Sequence, residues 1–136
     1  MKMRSLFVAA ALIGTCGLAA PALAHHSVNS EFDPSKEEEV TATLVKVENI
    51  SPHSQWDFMA KNAKGGTDAW HFESAAPGAL RRSGIHIKED LKVGETYVVH
   101  YNPSRDGSRI GFMRGLVING KLAELGYAGG EVRDTN

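Results

Sequence analysis

The sequence predicts a mainly β domain: a small five-stranded Greek-key barrel of the OB type, with one short helix between its third and fourth strands. Three observations predict it. Short runs of β-branched and aromatic residues alternate with period two, and Gly, Pro and Asn turn signals separate them at short intervals. The first run also changes phase midway, as a strand does when it bends to serve both sides of a small barrel. The order of three strands, a helix and two strands suits that architecture. An open antiparallel sheet with one helix is the alternative that the same pattern allows.

Each element follows from its residues. Residues 25–39 are polar, carry Lys36-Glu37-Glu38-Glu39, and read as an arm leading into a domain at 40–125. Strand one covers 40–47: Val40, Ala42 and Leu44 share one face, then Val45 and Val47 continue on the other. Ser51-Pro52-His53 forms a turn, and Trp56, Phe58 and Ala60 mark the inner face of strand two. Asn62-Ala63-Lys64-Gly65-Gly66 is a hairpin connection. Strand three turns Trp70 and Phe72 inward and His71 and Glu73 outward. Pro77 opens a helix over 78–83 that Gly84 closes. Leu91-Lys92-Val93-Gly94 turns into strand four, where Tyr97, Val99 and Tyr101 alternate with Val98 and His100. The stretch 102–107 is a turn with proline and Asp-Gly chemistry. Strand five spans 110–118, Asn119-Gly120 makes a tight hairpin into 121–125, and the glycine-rich tail 126–136 is expected to fray. The expected core is Trp56, Phe58, Trp70, Phe72, Tyr97, Val99 and Leu116.

Ahead of the domain, residues 1–24 read as a cleaved signal peptide. Lys2 and Arg4 precede an apolar core, and Ala22-Leu23-Ala24 is a small-x-small cleavage site. A lipoprotein reading at Cys16 is weighed and set aside, because Thr15 directly before the cysteine fits poorly. The expected product is periplasmic, about 110 residues long, and one small domain. The leader removes two of the 15 Lys and Arg residues and none of the 16 Asp and Glu, leaving 13 against 16 and a net charge of −3. That balance argues against a nucleic-acid partner. The only cysteine leaves with the leader, so stability must come from packing and hydrogen bonds. No later segment has the ~20 apolar residues of a membrane span.

Cleavage after Ala24 would make His25 the first residue, with an α-amine and an imidazole on one residue able to chelate a metal. The amine has an ordinary pKa near ~8, and a strongly bound metal can deprotonate it at neutral pH. A third imidazole would complete a nitrogen set suited to Cu(II). His53, His71, His86 and His100 are the candidates for that ligand, and His53, in a turn at the barrel mouth, is preferred. The metal set is therefore His25, His26 and His53, with copper as the ion, and His71, Glu73 and His100 left open as additions. The bland alternative is a solvated arm that happens to carry two histidines. Catalysis has little support: there is no Gly-x-Ser-x-Gly elbow, no cysteine after the leader and no phosphate-cradling loop. An enzyme is not expected.

The ordered motifs resemble those of a family of small exported bacterial proteins grouped as a domain of unknown function. The resemblance rests on His25-His26-Ser27, Phe32-Asp33, Ser51-Pro52-His53 with Trp56, Trp70 to Glu73, Pro77 with Leu80 and Gly84, Leu91-Lys92-Val93-Gly94 and Arg105-Asp106-Gly107. Ser51 stands where the family usually has asparagine, and Trp56 comes one residue late. Asn102-Pro103 stands where the family often has His-Pro. The resemblance implies no established activity, but it pairs a His-His start with a Pro-His turn, which favours His25, His26 and His53 acting together. A copper carrier or sensor is the expectation. The competing class is a non-metal interaction module whose barrel loops bind a periplasmic protein or a small ligand.

Overall fold

Strand β1 (Glu38–Glu48) is the spine of the fold, pairing antiparallel with β2 (Ser54–Lys61) on one side and β4 (Thr96–Pro103) on the other. The structure, a computed structural model, describes residues 28–125 and the backbone of Val132–Asp134. Strand β2 pairs with β3 (Thr67–Ser74), and β4 pairs with β5 (Ile110–Ile118). A parallel pairing of β3 with β5, from His71↔Ile110 to Glu73↔Phe112, closes the five strands into a barrel. The sheet continues past the seam through β6 (Lys121–Glu124) and β7 (Val132–Asp134), so part of the tail expected to fray is paired. No helix among the described residues is long and apolar enough to cross a membrane.

The phase change in strand one is a bulge. Its register with β2 jumps from Leu44↔Phe58 to Lys46↔Asp57, leaving Val45 as the extra residue. The bulge also changes which side each residue faces. Val45 is 47% exposed, whereas Val47 returns to pack against the core. A second shift, between β4 and β5, makes Arg114 the extra residue. At the closing seam only glycine fits: a Cβ on Gly111 would lie 2.5 Å from Tyr101 Cδ2 and 3.0 Å from the Phe72 ring.

The core holds Trp56, Phe58, Phe72, Tyr97, Val99 and Leu116, as expected, together with Leu44, Met113 and Leu80. Trp56 meets its one polar demand by donating from Nε1 to Ser74 Oγ at 2.8 Å. Trp70 is the exception. It sits half-buried where the barrel opens, stacked on Phe72 (5.7 Å between centroids, 8° between planes) and edge-on to Tyr101 at 5.4 Å. Near the start of β3 it lies outside the β3–β5 pairing, which begins at His71, so closure does not cover it.

The connection from β3 to β4 contains two short helices rather than the single one expected, α2 (Pro77–Arg82) and α3 (Ile87–Asp90). Four residues are too few to show a helical period. Here the His86 backbone N–H donates to Asp90 Oδ2 at 2.7 Å and fixes the turn. The arm holds one further helical turn, α1 (Val28–Glu31).

Tyr101 supplies a pH test of this packing. Burial, then a hydrogen bond from its hydroxyl to Glu38 Oε2 (3.1 Å), push its pKa from 10 up to about 12. A folded-state pKa above the unfolded one means that this contribution to stability is complete below pH ~10 and is lost as pH rises towards ~12. In an absorbance titration at the tyrosinate band, Tyr101→Phe should remove the last step and flatten the loss of stability over that window. Loss of an early step instead would contradict the packing.

Candidate metal centre

Because Gly111 faces the core aromatics, the next residue along β5, Phe112, points out of the barrel. It is nevertheless 0% exposed. Two rings cover it on the outer surface: Phe32, from the arm, at 5.9 Å, and His53, edge-on at 5.7 Å and 80°. Phe32 is itself 1% exposed. The arm and the Pro-His turn therefore meet over one phenyl ring.

Backbone bonds stitch the arm in place. Asp33 N–H donates to Pro103 O (2.9 Å), Arg105 N–H donates to Glu31 O (3.0 Å), and Phe32 bridges to Ser104. Arg105 Nε adds a bond to Asn29 O at 3.2 Å, and Asn102 Nδ2 donates to Lys36 O at 2.6 Å. Asn102, which precedes Pro103 where the resemblance leads one to expect histidine, thus holds the arm through its amide.

The turn before β2 contains a cis Ser51–Pro52 bond and presents His53 beside the end of β3. His53 Nδ1 lies 3.0 Å from Glu73 Oε2. Opposite an ionised Glu73, which can only accept, Nδ1 is the donor and Nε2 is the nitrogen left with a lone pair. A carboxylate behind an imidazole is the usual support of a metal-binding histidine. The His53 side chain is 23% exposed.

The other described histidines are placed differently. Both ring nitrogens of His71 are engaged, Nδ1 with Asp57 Oδ1 at 2.8 Å and Nε2 with Gln55 Oε1 at 2.6 Å. His71 and Glu73 share the outer face but do not pair. Residues two apart on a strand are ~6.5 Å from each other, and each looks across to the neighbouring strand. His100 lies between Glu37 (3.2 Å) and Glu39 (3.7 Å) on another part of the surface. His86 lines a cavity at α2 and α3. Among the described residues no three His, Cys, Asp or Glu side chains converge as a metal site. His25 and His26, like the expected leader with Cys16 and its expected cleavage site, lie outside the described residues.

The sequence left Glu73 open as an addition to the set without pairing it with His53. No sequence signal marks Phe112 as the ring that joins His53 to the arm, since its outward position follows from Gly111 facing the core.

The fold and this outer cluster define a class: a small closed β-barrel whose N-terminal arm is packed on its outside. Residues 14–127 match the family of unknown function DUF6152, and the chain belongs to that family. No curated protein and no solved structure matches it.

Proposed function

We propose that the processed protein is a periplasmic copper carrier or sensor that binds Cu(II) through the α-amine and ring of His25, with His26 and His53. One observation carries the reading: the arm leading back to these histidines is packed over Phe112, the ring that His53 also covers. His25 is three residues before Val28, a reach of up to ~10 Å of chain. The Glu73 carboxylate supports His53 as a ligand by holding Nδ1–H, the role such carboxylates play in imidazole sites. Nitrogen-rich donors suit Cu(II). The strand order β1-β2-β3-β5-β4 around the barrel supports an OB-type Greek key, a fold that carries ligand sites at its loop ends.

The deciding experiment is a Cu(II) titration of protein that begins at His25, against protein carrying one extra residue. Blocking the amine should weaken binding by at least ~100-fold, more than a supporting-group loss costs. His53→Ala should weaken it less but measurably, Glu73→Gln by ~10-fold, and His86→Ala not at all. Equal affinity for the native and extended N-termini would remove the proposal.

A further inference from the structure

We propose that the barrel mouth beside the β4–β5 turn is a second binding site, for a small carboxylate whose flat ring lies against Trp70. The mouth is a cavity of about 370 Å³, within the range of small-molecule sites. Trp70 and Tyr101 give it an aromatic wall, backed by Phe72. A half-exposed tryptophan stacked on a buried ring is held rigidly, so a ligand ring can lie against it without ordering a side chain first.

The rim is cationic. Lys36, Arg105 and Arg109 line the cavity from the arm and from both ends of the turn, where Glu38 is the one lining carboxylate and Lys36 also pairs with Asp33 Oδ2 at 3.6 Å. Glu38 is already occupied as the acceptor of the Tyr101 hydroxyl. Arg105 uses Nε on Asn29 O, and Arg109 pairs through Nη2 with Asp68 Oδ2 at 2.9 Å. A guanidinium has five N–H donors, so these bonds orient both groups and leave donors for a carboxylate.

The turn that carries the arginines is built in advance. Asp106 Oδ1 accepts from Ser104 Oγ (2.7 Å) and Ser108 N–H (2.8 Å), and Gly107 takes a φ of 77° that favours glycine. Hydrogen bonding from the Ser108 side chain, then from its backbone N–H and the Ser104 hydroxyl, draws the Asp106 pKa down to about 2, so the lock is intact throughout the neutral range. The cavity at α2 and α3, lined by His86, Lys88 and Glu89, has mixed charge and no aromatic wall.

Benzoate is a suitable probe, with benzamide as its uncharged counterpart and acetate as its ringless one. Amide spectra of the processed protein should show saturable shifts at Gly107, Ser108 and the Trp70 indole with benzoate. Benzamide and acetate should each bind at least about tenfold more weakly, a 1.4 kcal/mol difference. Arg105→Gln and Trp70→Leu should each weaken benzoate binding severalfold, with the Trp56 indole signal unmoved as the check on folding. The N-terminally extended protein should bind benzoate as well as the native one, which separates this site from the copper site. No saturable benzoate shift, equal binding of benzamide or acetate, or shifts centred on α2 and α3 would each overturn the proposal.

Discussion

Phe72→Ala is expected to cost ~3–5 kcal/mol, the usual loss for a fully buried aromatic, and a large share of the 5–15 kcal/mol that holds a small domain together. Phe72 is 0% exposed and is the hub of the inner aromatic packing. It meets Phe58 edge-on at 5.8 Å, Tyr101 at 5.1 Å and Trp70 in a stack at 5.7 Å. It also lies at the β3–β5 seam, opposite Gly111, where its ring fills the space that a side chain on β5 would need. Trp70→Ala is the matched control. That ring is only half-buried, and its loss forfeits one stack and one edge contact, so ~1–2 kcal/mol is expected. Denaturant unfolding followed by circular dichroism measures both. A cost below ~1 kcal/mol for Phe72→Ala, or a larger cost at Trp70 than at Phe72, would show that the seam is packed in some other way.

The contrast between these two residues shows what the sequence carries and what it does not. Period-two alternation put Trp70 and Phe72 on one face, and they are on one face. Alternation says nothing about depth along a strand, so the half-exposure of Trp70 at the mouth was not legible. The slip at Val45 was legible because a bulge leaves a phase error in the sequence. Its consequence was not, since only the register shows that Val47 returns to the core. Single turns such as α3 leave no period at all. For the candidate site, His53 could be selected from its turn, yet its partner Glu73 is twenty residues away and becomes adjacent only through the β2–β3 pairing. Phe112 was harder still. It reads as an ordinary core aromatic, and its outward position follows from Gly111 facing inward.

Phe112→Ala should likewise cost ~3–5 kcal/mol, although the residue lies outside the main core. The reason is local: Phe112 is 0% exposed because Phe32 and His53 cover it, and removing it leaves both without their shared surface. Phe32→Ala should remove much of the same stabilisation from the other side. The two residues touch, so the double variant should be less unstable than the sum of the singles. A coupling of ~0.5–1.5 kcal/mol is expected for an aromatic pair. Proteolysis offers a second readout, since an arm that has lost its anchor should be cut within 28–36 while the barrel stays intact. Copper affinity provides the third. If the arm delivers the amine of His25 to His53, Phe112→Ala should weaken Cu(II) binding although it removes no ligand atom. It does so by letting the arm leave the barrel, as adding a residue before His25 does by blocking the amine. Additive stabilities in the double variant would mean that the arm is held by its backbone bonds alone. Unchanged copper affinity in Phe112→Ala would mean that the metal needs the N-terminus and not the barrel.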